Sequence, residues 1–311
     1  MNARARLSWS ASLVWLLAVP CVAGCDDSLK SVSLIEETRV LGARVEVEAD
    51  PLRSSPNPGE LASLRFFLAA PDGQPEVSYA LSVCAVRLVN SGFPACAGAP
   101  FASALETDGS LVDVRLDFQV PEDLDREATP HAFARGLICP NSGLNLGPDG
   151  SPSCATGSGT EVAFEFGLGG PDGSNQNQSP TFATDTFSLD GEPWPATADA
   201  TCDSGSLRQV TAKTRHALRV DLADSNFETL TQPTSVDPGR ETLLVSPFSN
   251  AGELSNGFLS LSADATPAER SVTWDAPAKN DALPALVRFY FVVRDARAGE
   301  DFAERALCVV P

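Results

Sequence analysis

Histidine, lysine, methionine and tyrosine are the scarce residues of this 311-residue chain. It has two histidines, one methionine and two tyrosines, and lysine occurs only as Lys30, Lys213 and Lys279. General bases and zinc sites draw chiefly on histidine, so the isolated His131 and His216 make a poor supply for either. His131 follows Pro130 in an expected loop, and His216 falls in phase with Leu218, Val220 and Leu222 at the rim of an expected core. No Gly-x-Ser-x-Gly, His-Glu-x-x-His, phosphate-loop or dinucleotide fingerprint occurs. Positive charge is also short. Twenty-two Lys+Arg stand against 41 Asp+Glu, a net charge of −19, and such a chain repels a phosphate backbone, which argues against nucleic acid as a partner. No amphipathic stripe of four helical turns is present, and beyond residue 25 no apolar run approaches the ~18 residues that span a bilayer.

What is abundant points to sheet. The chain is 43% hydrophobic and 20% charged, enough to bury a core, and its 23 glycines and 24 prolines favour short strands and many turns. Carboxylates are plentiful, yet no acid pair stands out in an aromatic-rich setting.

The N-terminus has the form of a secretory signal. Arg4 and Arg6 precede an apolar run from Leu13 to Val19, followed by Val22-Ala23-Gly24-Cys25. These four residues resemble the lipobox of bacterial lipoproteins. That resemblance implies cleavage between Gly24 and Cys25, with acyl chains carried on Cys25. Loss of residues 1–24, which hold two arginines and no acid, takes the net charge from −19 to −21. Each buried methylene contributes about 0.8 kcal/mol, so two or three acyl chains anchor stably. The expected location is the cell envelope. Asp26 and Asp27 resemble an enteric inner-membrane retention signal, and the choice between inner and outer membrane stays open.

With Cys21 removed and Cys25 lipidated, Cys84, Cys96, Cys139, Cys154, Cys202 and Cys308 remain. An even count in an exported chain points to disulfides. Of fifteen pairings, Cys84–Cys96 and Cys139–Cys154 are favoured because each flanks one Gly/Pro-rich loop, which leaves Cys202–Cys308.

Period-two alternation fills the rest. Val45 and Val47, then Leu64, Phe66 and Leu68, then Tyr79, Leu81 and Val83 each share a phase. Residues 111–120 read as the clearest strand, with Val112, Val114, Leu116, Phe118 and Val120 on one face, and Val162 to Leu168 repeats the pattern. A short helix is expected over 122–128. Residues 169–182 read as a polar linker. Further strands are expected at 208–222, 241–246, 257–263, 270–275, 286–294 and 302–310. The expectation is therefore an all-β chain of two antiparallel immunoglobulin-like β-sandwich domains after a cleaved lipoprotein signal peptide. Its divisions are 1–24 signal, 25–37 lipidated tether, 38–182 first sandwich with linker, and 183–311 second sandwich.

Val287-Arg288-Phe289-Tyr290-Phe291-Val292-Val293-Arg294-Asp295, the turn at Ala296–Gly299 and the strand to Val310 resemble the last hairpin of PKD-type and other immunoglobulin-like domains, with Trp274 as a core tryptophan. Arginine and alanine are common and lysine rare, as in a GC-rich genome, and with its early Pro58-Gly59 turn, paired cysteines and strand Phe291-Val292-Val293-Arg294-Asp295 the whole layout resembles uncharacterised envelope lipoproteins of GC-rich Gram-negative bacteria. Leu124-Asp125-Arg126-Glu127 matches the Leu-Asp-Arg-Glu motif of cadherin repeats, and Asn175–Phe182 resembles their interdomain linker. This likeness implies calcium at a domain junction, with Asp125, Glu127 and Asp172 as candidate ligands, although Gln176 and Gln178 depart from the pattern. The alternative for the same residues is a capped helix start and a polar linker.

The function expected is that of a non-catalytic, lipid-anchored envelope protein binding or scaffolding a protein or glycan partner through the loops 89–110, 140–160 and 224–240. A calcium-dependent adhesion or spacer module, and a hydrolase of envelope polymers acting through paired acids, are the alternatives. No other cofactor is expected.

Overall fold

In the computed structural model the chain is described over residues 32–88, 94–111, 113–125, 129–170, 176–196, 201–230, 239–278 and 285–311. The signal segment, Gly24 and Cys25, Glu127 and Asp172 lie outside these residues. The first half forms β1 (Arg39–Val47), β2 (Leu61–Ala69), β3 (Val77–Leu88), β4 (Pro94–Cys96), β5 (Ala102–Leu111), β6 (Val114–Gln119), β7 (His131–Pro140), β8 (Leu144–Leu146), β9 (Pro152–Cys154) and β10 (Thr160–Gly167). The second half forms β11 (Phe187–Leu189), β12 (Glu192–Pro193), β13 (Gln209–Thr211), β14 (Arg215–Val220), β15 (Leu243–Ser249), β16 (Glu253–Leu254), β17 (Leu259–Leu261), β18 (Ser271–Asp275), β19 (Ala285–Arg294) and β20 (Glu300–Val310). Two 3-10 turns, Cys202–Ser204 and Asp224–Asn226, are the helical turns among the described residues. Among the described residues the chain is all-β.

Each half is a sandwich because each buries one alternating face. The sheet β1-β2-β6 and the sheet β10-β7-β3, to whose β3 both β4 and β5 pair, enclose Val45, Leu64, Phe66, Leu81, Leu116, Phe118 and Phe166. The sheet β12-β11-β14-β18-β16 and the sheet β13-β20-β19-β15-β17 enclose Phe187, Leu218, Trp274, Phe289, Phe291 and Leu307. Trp274 is fully buried, donates from Nε1 to Ala251 O at 3.0 Å, and meets Phe289 edge-on at 5.0 Å. Gly252, at φ +78, is required there, since a β-carbon would collide with the indole.

Several expected strands differ in extent. The run 111–120 is divided: Leu111 ends β5 and pairs with Val77, β6 begins at Val114, and Val112 lies outside the described residues. The run 208–222 breaks at Lys213, whose φ of 63 turns the chain from β13, parallel to β20, onto β14 in the opposite sheet. His131 opens β7 instead of lying in a loop. Parts of the loops 89–110 and 140–160 are strand, namely β4, β5, β8 and β9.

β19 joins the halves. Its Val287, Phe289, Phe291 and Val293 enter the second core, while Tyr290 and Val292 on its other face pack with Ile35, Leu41 and Ala69, beside Phe67 and Phe302. A strand buried on both faces reads as one continuous apolar run, which here is Phe289–Val293. Phe67 stacks on Phe302 at 4.6 Å, and Tyr290 Oη donates to Ala70 O at 2.6 Å. The part of the expected tether that is described, 32–37, is joined to the body. Leu34 bridges Ser249, and Ile35 is fully buried in this seam. Ser31–Pro311 accordingly forms one compact unit.

Candidate functional site

The bridges are Cys84–Cys96 and Cys139–Cys154, the pairs that the loop-flanking argument favours, and Cys202–Cys308, the pair it leaves. Cys202–Cys308 ties the 3-10 turn before β13 to β20.

The densest ionic cluster lies in the seam between the sandwiches. The segment 176–182, read as linker, is fastened on both sides. Ser54 N donates to Asn177 O at 2.8 Å, Ser179 N to Leu52 O at 2.7 Å, and Asn177 Nδ2 to both Ser54 Oγ and Asp295 Oδ2 at 2.8 Å. The turn after β19 supplies Asp295, which accepts from the N–H groups of Arg297 and Gly299 and so fixes the Arg297 side chain. That guanidinium contacts Glu228, reaches Glu241 at 2.9 Å and donates to Gln176 O at 3.3 Å. The guanidinium thus serves two carboxylates, and the backbone N–H of the same residue serves a third. Burial, assisted by Asp295 and opposed by Arg297, raises the Glu241 carboxyl to about 7. Burial also raises Asp295, against its hydrogen bonds. Burial opposes the Arg297 charge, but Glu241 and Glu228 hold its pKa above the ordinary value. Among the described residues, Asn177 Oδ1 and Glu241 Oε2 are buried without a hydrogen-bond partner.

A second ionic group closes the other end of the seam. Glu300 accepts from Ala43 N at 2.9 Å and from Arg294 Nε at 2.6 Å, and Arg294 also reaches Leu41 O. Burial raises Glu300 to about 7 in spite of Arg294. Gly42 sits at a bulge in β1, and a β-carbon there would collide with Glu300 Oε2. Arg44 pairs with Asp301 at 2.7 Å.

Beside this end lies a cleft of about 360 Å³, with Phe67 and Phe302 among its lining and Arg65, Gln74, Asp113 and Glu304 on its walls. Its carboxylates are engaged: Asp113 by Arg65 at 3.0 Å, Glu304 by Arg288 at 2.5 Å, Glu46 and Asp301 by Arg44.

His216 forms a line that the sequence did not disclose. Its Nδ1 meets Asp190 Oδ2 at 2.8 Å and its Nε2 meets Thr214 Oγ1 at 2.6 Å. Burial opposes ionisation of Asp190, but the hydrogen bonds from His216 and Ala217 N–H hold its carboxyl below the ordinary value. The order acid–imidazole–hydroxyl resembles a nucleophile relay. Thr214 Oγ1, however, donates its one proton to Thr211 O at 2.5 Å, so that proton is not presented to the imidazole. The imidazole therefore pins the turn between β13 and β14 and does not activate the hydroxyl. No sequence signal marks Asp190, which is brought in by a turn at φ 52 twenty-six residues away.

Asp125, one of the three acids implied by the cadherin-like motifs, is exposed. Among the described residues no group of three or more His, Cys, Asp or Glu is placed to hold a metal ion, and no helix is long and apolar enough to cross a membrane.

No protein-family model and no curated protein sequence matches the chain. Among solved structures it is similar to a Salmonella alpha-2-macroglobulin reacted with methylamine, at 10% identity and TM-score 0.23 over 89% of this chain and 15% of that one. It is similar to extracellular cadherin domains 1–5 of protocadherin gamma B2, at 16% identity and TM-score 0.20 over 89% of this chain and 41% of that one. DIP-gamma IG1+IG2 is matched at 8% identity and TM-score 0.19, over 88% of this chain and 98% of that one. The chain spans less than half the length of the first two of these structures.

Proposed function

We propose that this chain is a non-catalytic, lipid-anchored protein of the cell envelope, whose two sandwiches act as one rigid body that presents loops to a protein or glycan partner. The observation that supports it best is the pairing of the lipobox Val22-Ala23-Gly24-Cys25 with a body in which the buried acids Glu241, Asp295 and Glu300 serve the seam between the sandwiches. The cleft carboxylates are likewise bound to arginines, which leaves the hydrolase alternative without a candidate acid pair there. The test is crosslinking in intact cells, capture of the tagged chain and mass spectrometry. A reproducible partner that is lost with Cys25→Ala supports the reading. A Cys25→Ala variant that remains in the membrane fraction refutes the anchor.

The calcium-dependent spacer is a second reading, favoured by the oxygen-rich surroundings of Asn177, with Asn177 Oδ1 and Glu241 Oε2 unpaired. Against it, Arg297 already supplies positive charge to Glu228 and Glu241. A melting temperature that rises on adding calcium would favour this reading over the first.

A further inference from the structure

We propose that the surface formed by Val32 and Phe258 rests against the bilayer that holds the acyl chains of Cys25, so that the body is seated on the membrane by this end and does not swing on its tether. This inference rests on the lipid-anchor reading above.

Among the described residues Phe258 is the one aromatic in the set of exposed large apolar side chains, at 60% exposure, and Val32 is the most exposed of that set, at 81%. The chain brings them together. Ser249 N donates to Ser33 O and Ile35 N to Ser249 O, which fixes the incoming segment on β15. A β-carbon built on Gly257 would lie in van der Waals contact with the Ser33 side chain, 3.5 Å from its Oγ, and Val32 and Phe258 are the sequence neighbours of these two residues. Arg39 also holds Val32 through its carbonyl oxygen at 3.0 Å.

Chain length selects the occupant. Residues 26–31 separate Cys25 from Val32, and an extended chain spans at most ~3.6 Å per residue, so Val32 cannot stand more than about 25 Å from the lipidated residue. Any surface at the point where the tether joins the body is held within reach of lipid, at a high effective concentration.

Charge selects the face. An acidic chain is repelled by anionic headgroups. Leu254–Leu261 carries no charged residue, and neither does 31–35; the exposed acids that adjoin these stretches in sequence are Glu36, Glu37 and Glu253. An uncharged strip bearing an exposed Phe is the part of this surface that can enter the headgroup layer without desolvating a carboxylate.

The test uses the mature lipidated chain in phosphatidylcholine vesicles with brominated acyl chains, which quench tryptophan on contact. The two tryptophans of the mature chain, Trp194 and Trp274, are buried, so the wild type sets the baseline. Phe258→Trp should lose emission and shift to the blue, whereas Leu105→Trp, on β5 of the first sandwich, should not. If the chain floats with vesicles but the two variants are quenched alike, or neither is quenched, the seating inference is wrong and the anchor stands. If the chain does not float at all, both fall.

Discussion

Arg297 and Glu241 meet at 2.9 Å inside the seam between the two sandwiches, and the same guanidinium extends to Glu228. Replacing Arg297 with Gln leaves Glu241, 3% exposed, without its counter-charge. Removing one partner of a fully buried pair costs about 3–5 kcal/mol, and the partial exposure of Arg297 reduces this to roughly 2–3 kcal/mol. Denaturant midpoints of Arg297→Gln and wild type measure it, and an unchanged midpoint would show that the pair carries no weight.

Acid should stabilise this protein before it destabilises it. Glu241 and Glu300 are raised from 4.5 to about 7 in the folded state, so between these values the folded chain holds protons that the unfolded chain has released. Stability therefore falls as pH rises from about 4.5 to 7, by at most ~1.4 kcal/mol per pH unit for each group, and the loss is complete above 7. Below that window the lowered carboxyls Glu60 and Asp190 reverse the trend, because their contribution is lost as they protonate. Melting temperatures at pH 5 and pH 8 should differ in favour of pH 5, and Glu241→Gln combined with Glu300→Gln should narrow the difference. A higher melting temperature at pH 8 would contradict the assignment.

The long bridge should matter more than the short ones. Cys202–Cys308 closes 106 residues, against 12 for Cys84–Cys96 and 15 for Cys139–Cys154. Chain entropy predicts a loss of about 4–5 kcal/mol for Cys202→Ala with Cys308→Ala, and about 3 kcal/mol for either short pair. Urea titration of the three double variants ranks them, and equal losses would indicate that strain or residual structure dominates.

Gly42→Ala places a methyl against Glu300 Oε2 and must push that carboxylate away from Ala43 N–H and Arg294. Overpacking of this kind costs about 1–3 kcal/mol. In a Glu300→Ala background, Gly42→Ala should be nearly free of further cost, because both act on one contact. Additive losses in the double variant would disprove that coupling.

Much of the fold was legible because period two is a local signal. β6 alternates strictly, with Val114, Leu116 and Phe118 inside, and could be read directly. β7 could not, since His131–Pro140 shows no clean alternation and Gly136, at φ 155, lies where a β-carbon would strike Ala80 O. β5, with Glu106, Thr107, Asp108 and Gly109, has the composition of a loop and becomes a strand by pairing with β3. The seam was hidden for a different reason. Its members come from 41–44, 53–55, 176–182, Glu228, Glu241 and 290–301, and nothing local in Arg294-Asp295-Ala296-Arg297 tells a solvated turn from a buried ionic knot. The one hint was β19, apolar in both phases, which a strand with one wet face has no reason to be.

That double-sided strand also sets a timetable. The strip formed by Leu41, Phe67 and Ala69 is synthesised early, yet Tyr290 and Val292, which cover it, arrive only once the ribosome has passed Ala285. At ordinary elongation rates the stretch from Gly167 to Ala285 takes on the order of ten seconds, long compared with the folding of a small sandwich. The half made first must wait with an oily flank bare, and a holdase that shields it during that interval would govern yield without ever touching the finished molecule.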